Sequence, residues 1–463
     1  MLSDGYGLDR VPATGRDVPL SVGPTVDLSS PIEQLDPKRS LLFSPLRINQ
    51  VTLENRVWLP AMVTWLSNEA GEVTPEVMER YVTYALGQPG MIVLEAIGIR
   101  DVASGPLMRI GHDRFIPGLR ALAQRIHDVS PSKVIPQIID FLKIATRNPQ
   151  AYLTRLAARG GQYASVLSMT EDQLQSTLSP REWHEYNHGY RQLISDIARE
   201  EVLALPGMFA AAARRARQAG YDGVELHFAH AYTMASFLSA RNARTDEFGG
   251  QSLENRVRLP LMVIEAVRRE VGNDFLVGLR YLSSEDIPGG SKLEDALYFA
   301  AQFAKAGIDF ISISRGGKFE DAEQPKIGQA IYPYTGHSGY MCMPMSDADA
   351  AVNRAQAAAI RHAVRDAGFR TPTIVTGKID SFELAETILR QGGGDLIGMA
   401  RGLLADPFWP IKVREGRDYH HCKYTNVCES LDRHHRQVRC QLWMITTDDK
   451  GKKLHRVNPP QNW

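Results

Sequence analysis

The chain is poor in several features that would each have marked a class of protein. Cysteine occurs only four times in 463 residues, without the regular spacing of a disulfide framework, which excludes a small secreted scaffold and suits a reducing compartment. Net charge is also missing. Lys and Arg total 53, as do Asp and Glu, so no overall field draws the protein to nucleic acid or anionic lipid. No stretch approaches the roughly 20 apolar residues that span a bilayer, and the opening "MLSDGYGLDRVPATGRD" lacks the apolar core of a secretory leader. Nucleic acid and membrane are therefore not expected as partners, a small molecule is, and the expected location is cytoplasmic. No apolar run is followed by a dinucleotide-type glycine loop either.

What the chain does have is alternation. Short apolar runs read as strands: "RVWLPAMV" (56–63), "MIVLEAIG" (91–98), "KVIPQII" (133–139), "GVELHFA" (223–229), "FLVGLRYL" (275–282), "DFISISRG" (309–316), "TIVTG" (373–377) and "DLIGMARG" (395–402). Amphipathic segments such as "LENRVRLPLMVIEAVRREVG", "LEDALYFAAQFAKAG" and "FELAETILRQGG" lie between most of them, several closing on Gly as helix ends do. Alternating β and α with strands apolar on both faces implies a parallel sheet, and about eight such units imply a closed α/β architecture, the (β/α)8 TIM barrel. A doubly wound open sheet is the runner-up.

Around residues 41–415, the expected barrel, three appendages stand out. Residues 1–40, rich in Pro, Gly, Ser and Asp, read as an N-terminal arm of low helical content. Residues 140–207 form a long insertion after the third strand, on the face where active sites of this fold sit, and read as a lid or substrate-side wall that includes a helical pattern over 180–201. Residues 416–463 form a C-terminal extension containing Cys and His.

The run "GYDGVELHFAHAYTMASFL" (220–238) places His227 near the end of the fourth strand, with His230 and Tyr232 on the turn after it. Strand ends of such a barrel face a shared pocket. Imidazole N–H groups can hold a carbonyl oxygen on which negative charge develops, and a phenol can deliver a proton. The same spacing suits two hydrogen-bonded structural histidines beside a core tyrosine. A metal pair fits less well, because no third ligand stands nearby and helical zinc motifs place histidines four apart.

The longer stretch "GYDGVELHFAHAYTMASFLSARNARTDEFGGQSLENRVR" resembles the signature of the old yellow enzyme family of FMN-dependent ene reductases, in its wider group of NADH:flavin oxidoreductases and 2,4-dienoyl-CoA reductases. "LFSPLRINQVTLENRVWLPAM", "GLRYLSSEDIPGG" and "IVTGKIDSFELAETILRQGGGDLIGMARGLLADPFWPIK" resemble its first strand, its fifth strand and its phosphate-binding end, so the likeness runs over roughly residues 41 to 460. It implies FMN at the barrel mouth, NAD(P)H as reductant, and hydride transfer to the β carbon of an α,β-unsaturated carbonyl or enoyl compound. It further implies that His227 and His230 grip the carbonyl oxygen while Tyr232 protonates the α carbon. On the same basis Ala61, Met62 and Ala96 line the flavin ring, Gln137 and Arg280 meet its pyrimidine edge, and Gly377, Gly398, Ala400 and Arg401 receive its phosphate. Two departures are visible: Val63 replaces a Thr or Cys of many relatives, and "DFLK" (140–143) replaces a histidine-alanine-glycine-arginine run. Trp65 either covers the pocket or serves as a core tryptophan.

The segment "HHCKYTNVCESLDRHHRQVRC" (420–440) resembles the 4Fe-4S segment of the dienoyl-CoA reductase branch, whose cysteines are spaced C-x2-C-x3-C-x11-C. Cys422, Cys428 and Cys440 supply three ligands, and Thr425 stands at the second position. A hydroxyl substitutes poorly for a thiolate, so the segment reads as degenerate. Those three cysteines are the candidates for any metal, with His420, His421, His434 and His435 as further candidates for zinc. Relatives of that branch continue into a second flavin and NADH domain, whereas this sequence ends at Trp463. Direct reduction by NAD(P)H is therefore expected, with a separate reductase as the other source of electrons and a homo-oligomer left open. The competing readings are an FMN-dependent amine demethylase or dehydrogenase of the same barrel group, and a flavin-binding protein without ene reductase activity.

Overall fold

The structure, a computed structural model, describes residues 26–102, 104–140, 145–146, 148–317, 337–447, 451 and 453–460. Most of the expected N-terminal arm and the "FLK" that follows Asp140 lie outside the described residues.

Eight strands close into a barrel: β1 (Val57–Leu59), β2 (Met91–Gly98), β3 (Lys133–Ile139), β4 (Gly223–Phe228), β5 (Leu276–Leu282), β6 (Phe310–Ser314), β7 (Thr373–Val375) and β8 (Leu396–Gly398). Every neighbouring pair is parallel, and β8 returns to β1. Seven helices follow the first seven strands: α1 (Pro75–Leu86), α2 (Ile116–Val129), α3 (Arg199–Gln218), α4 (Leu253–Val271), α5 (Leu293–Lys305), α6 (Arg354–Asp366) and α7 (Phe382–Arg390). After β8 come two short helices, Ala400–Ala405 and Trp409–Arg414.

The period of two along each strand divides the core. Val224, Leu226 and Phe228 of β4, and Val277, Leu279 and Tyr281 of β5, join the apolar layer beneath the helices. Their alternates, Glu225 and His227 on β4 and Gly278 and Arg280 on β5, therefore point into the barrel. The interior below them is filled by a separate cluster of Trp58, Met91, Val93, Ile135, Leu276, Phe310, Ile374 and Leu396, with Trp58 and Phe310 edge to face at 4.8 Å. The barrel is thus plugged at its amino end and open for chemistry only at the other. A bulge between Leu94 and Ala96 in the pairing of β2 with β3 re-aims the end of β2.

Several boundaries differ from the sequence pattern. The first apolar run leaves the sheet after Leu59 because Pro60 has no N–H to donate. The last one ends at Gly398, so Ala400 and Arg401 open a helix rather than close a strand. The helical pattern over 180–201 breaks at His188, where Gly189 takes φ +104°. Helices α1 and α2 were not read from periodicity, although Thr74 caps Val77 N and Pro75 pre-sets the first turn of α1.

Segments near both ends of the described residues clasp the barrel. Leu41 N and Leu42 N both donate to the buried Glu386 carboxylate of α7, and Arg390 donates to Asp27 O and Ser30 O. On the opposite flank Arg80 of α1, 1% exposed, donates to Asn458 Oδ1 at 2.7 Å, Val438 O at 2.9 Å and Val457 O at 2.7 Å. Its guanidinium also lies 5.2 Å from the Trp443 ring. Replacing Arg80 with Ala strands three acceptors, two of them fully buried, and the expected loss is about 3 kcal/mol in urea unfolding, with early proteolysis within 416–460. Arg269→Ala, at an exposed i,i+4 ion pair, should cost less than about 0.5 kcal/mol.

Candidate active site at the barrel mouth

The backbone just past the end of β4 is tightly constrained. His230 and Ala231 both take left-handed φ, +57° and +64°, a conformation that costs a non-glycine residue roughly 1–3 kcal/mol and persists only where the surroundings impose it. The turn folds the chain back so that Tyr232 returns to the His227 side. Ring centroids stand 5.1 Å apart for His227 and His230 and 5.5 Å apart for His227 and Tyr232.

A directed hydrogen-bond chain fixes the two imidazoles. Ala229 N donates to His227 Nδ1 at 3.5 Å, His227 Nε2 faces His230 Nδ1 at 3.2 Å, and His230 Nε2 faces Ser314 Oγ at 2.7 Å. An accepting Nδ1 on His227 places its proton on Nε2, which in turn makes His230 Nδ1 the acceptor and His230 Nε2 the second donor. Burial, reinforced by the Arg280 cation, holds the His227 pKa down at about 3, and the same causes push His230 well below the usual imidazole range. Both rings are therefore neutral hydrogen-bond donors at physiological pH, which is the form that polarises a carbonyl without competing for a proton.

These three residues line one cavity of about 230 Å3. Ala61, Met62, Ala96, Gln137 and Arg280 line it too, as do Gly377, Gly398, Ala400 and Arg401 at its far end. Arg280 Nη1 donates to Ala61 O at 3.2 Å, while its buried Nε has no partner. Gln137 Nε2 donates to Glu225 Oε1 at 2.6 Å. Gly377 sits at φ +109°, and a Cβ on Gly398 would lie 2.4 Å from Thr376 Cγ2, so both positions need glycine for the backbone to come this close. Arg401 is held at that end by other parts of the chain: Asn426 Oδ1 and Pro344 O accept from its two terminal nitrogens, and its guanidinium stacks 5.0 Å from the Tyr424 ring.

Sequence reasoning missed other cavity residues. Lys378, with φ +56°, follows Gly377 and reaches the same end, its Nζ bonded to Ser346 O at 2.7 Å; a Lys straight after a strand-ending Gly was the available signal. Ser314 and Cys342 are also on the wall, and burial pushes the Cys342 thiol up to about 11.

The largest difference concerns the walls. The insertion expected as a lid packs upon itself through Tyr152, Leu153, Leu156, Val166, Leu174, Leu178 and Tyr190, and none of its described residues lines the cavity. The C-terminal segment does so instead, through Tyr424, Cys428, Glu429, Asp432, His435 and Val438. Trp65 joins the two parts: its Nε1 donates to Asp432 Oδ1 at 2.7 Å, and its ring stacks on His435 at 4.4 Å.

Cys422, Cys428 and Cys440 border a second cavity of about 120 Å3 together with Thr425. The residues present do not fit a four-iron cluster. Five residues separate Cys422 from Cys428 where the implied spacing has six, and the Thr425 hydroxyl donates to Gln441 Oε1 at 2.8 Å. Burial raises all three thiols, Cys428 to about 11 and Cys440 to about 12. Among the described residues no three His, Cys, Asp or Glu side chains stand together as metal ligands. His434 Nδ1 lies 2.7 Å from Ser430 O, His421 packs on Tyr419, and His435 on Trp65.

The sequence pattern of the NADH:flavin oxidoreductase / NADH oxidase family matches residues 41–420. An NADH oxidase of Thermoanaerobacter brockii is 31% identical over 382 residues, 81% of this chain and 51% of that protein. An NADPH dehydrogenase of Geobacillus sp. (strain WCH70) is 31% identical over 377 residues, 80% of this chain and 93% of that protein. Among solved structures, a 2-naphthoyl-CoA reductase in complex with 2-naphthoyl-CoA superposes with TM-score 0.66 at 23% identity, covering 87% of this chain and 56% of that one. The chain thus spans about half the length of the NADH oxidase. Among the described residues no helix is long and apolar enough to cross a membrane.

Two outcomes are expected from this geometry. Ring 15N shifts of His227 and His230 should report neutral imidazoles from pH 5 to 8; a ring titrating near the unperturbed value of about 6.5 would contradict the burial seen. Anaerobically purified protein should carry iron and acid-labile sulfide far below one cluster per chain, and stoichiometric amounts of both would overturn the misfit of the cysteines.

Proposed function

Because the chain belongs to the NADH:flavin oxidoreductase / NADH oxidase family and has the (β/α)8 barrel of the old yellow enzymes, we propose that it is an FMN-dependent ene reductase. It would take a hydride from NAD(P)H and deliver it to the β carbon of an α,β-unsaturated carbonyl or enoyl compound, with Tyr232 as proton donor. One observation carries this reading: neutral His227 and His230, with Tyr232, stand at the same cavity as Gln137, Arg280 and the glycines at 377 and 398.

The residues suit FMN. Arg280 keeps an unpartnered buried Nε at the cavity floor, the backbone at Gly377 and Gly398 is bare, and Lys378 and Arg401 place positive charge at the same end. Bound FMN would supply what no side chain can, acceptance of a hydride from the nicotinamide and its delivery to the substrate. Arg280 would stabilise negative charge on the adjacent ring edge, held in place by Ala61 O. His227 Nε2–H would leave His230 Nδ1 for the substrate's carbonyl oxygen, and His230 would support the same oxygen only by turning its Nε2–H away from Ser314 Oγ. A donor of this kind typically contributes on the order of 3 kcal/mol to the transition state in a dry site. Tyr232 would give its phenolic proton to the α carbon as the β carbon gains hydride, and water would restore the phenol.

A second reading rests on the wall opposite the histidines. Trp65 and Asp432 combine an aromatic face with a carboxylate, and Glu429 beside them is paired with Arg433; an aromatic face with a carboxylate also suits a cationic amine. An amine would bleach the oxidised flavin, whereas an enone reoxidises the reduced flavin, so the two substrates separate the readings directly.

In stopped flow, Tyr232→Phe is expected to slow reoxidation of the reduced protein by an enone by roughly 10²- to 10⁴-fold, while reduction by NAD(P)H stays within about twofold. Equal rates in both half-reactions for variant and wild type would exclude Tyr232 as the acid.

A further inference from the structure

Glu225 is a buried carboxylate that the proposed chemistry does not use. It is 0% exposed, lies two residues before His227 on the inward side of β4, and does not itself line the cavity. Gln137 stands directly across from it on β3, and Gly278 on β5. Gly278 offers no side chain, and the Phe310 ring occupies the space a Cβ there would need, with a closest carbon at 2.2 Å. Glu225 Oε1 accepts from Gln137 Nε2 at 2.6 Å, whereas Oε2 has no hydrogen-bond partner. Arg280, level with His227 in the strand register, is the charged group whose field reaches this carboxylate, and its buried Nε is likewise without a partner. A buried acid just beneath the cavity and a buried base on its wall thus face one another without closing an ion pair.

We propose that Glu225 is a positioning residue beneath the flavin: it fixes which end of the Gln137 amide faces the cavity and partly balances the Arg280 charge, and so sets the reduction potential of bound FMN without touching it. The inference rests on the FMN reading above. A carboxylate has no N–H, so its partner must turn an amide nitrogen toward it. The Gln137 oxygen is then left for the cavity side, where it would be free to accept a hydrogen bond from bound FMN. The charge works through Arg280. Reduction puts negative charge next to that guanidinium, and a carboxylate one layer below opposes the stabilisation. Burial raises the Glu225 pKa to about 7, against the opposing pulls of Arg280 and of the Gln137 hydrogen bond. Those two are the groups that face it from the neighbouring strands, and His227 above it on β4 is neutral. The opposition to reduction is therefore present above about pH 7 and fades below it. The same raised pKa makes ionised Glu225 a burden on folding: that cost is absent below the ordinary carboxylate range and grows as pH rises through 7.

The test uses holoenzyme and two substitutions. Glu225→Gln keeps the shape and an acceptor for Gln137 Nε2 but removes the charge. It should bind FMN as wild type does and shift the two-electron reduction equilibrium at least tenfold toward the reduced form at pH 8, about 30 mV more positive. The bend in potential against pH near 7 should vanish with it. Glu225→Leu removes charge and acceptor together. It should show the same shift and in addition weaken FMN binding about tenfold, and that loss should disappear in a Gln137→Leu background, as expected when one residue acts through the other. A merely structural role would change thermal stability and leave the potential alone. Yellow Glu225→Gln protein with a wild-type potential at every pH would overturn the inference while leaving the FMN reading intact, and wild type that binds no FMN would instead sink that reading. If Glu225→Leu does not fold, the Glu225→Gln potential decides.

Discussion

The register of β3, β4 and β5 is the constraint on which the mouth of the barrel depends. Parallel pairing sets Gln137 opposite Glu225 and His227 opposite Arg280, and the pleat sends all four inward together. A slip of one residue in β4 would turn His227 out beneath the helices and bring Leu226 into the cavity. The left-handed pair at His230 and Ala231 adds the second half of the constraint, because only that turn returns Tyr232 to the ring of His227. The strain is tolerated where a closed, plugged barrel holds both flanks.

The C-terminal segment changes what the site is made of. The likeness to an iron-sulfur segment points to electron transfer, but the side chains there are given over to packing and to walling the cavity at the barrel mouth. Trp65 binds Asp432 and stacks on His435, Arg401 is held by Asn426, and Arg80 ties Val438 and Asn458 down. Trp65, Asp432 and His435 thus roof the cavity with side chains already engaged with one another, and Glu429 beside them is paired with Arg433.

Much of this was legible in the chain itself. Strand positions followed from apolar runs, though their ends did not, because Pro60 and the helix beginning at Ala400 interrupt runs that remain apolar. The two histidines and Tyr232 were legible because they fall at and just past the end of one strand, where the fold directs side chains to the mouth, whereas Gln137 and Arg280 were named only through the family resemblance. The roof was not legible. Trp65 and Asp432 are 367 residues apart, and no local periodicity announces a contact of that range. Glu225 was hidden for another reason: a single acid in an apolar strand looks like an exposed edge residue until the closure of the barrel shows that it has no water to face.

The central claim, that neutral imidazoles and a flavin share one cavity, is tested most directly by titrating the oxidised, purified protein with a cyclic enone while following flavin absorbance. A yellow preparation whose spectrum shifts saturably, with the shift lost in the His227→Leu, His230→Leu double variant, is the expected result. A colourless protein, or a shift indifferent to both histidines, would contradict it.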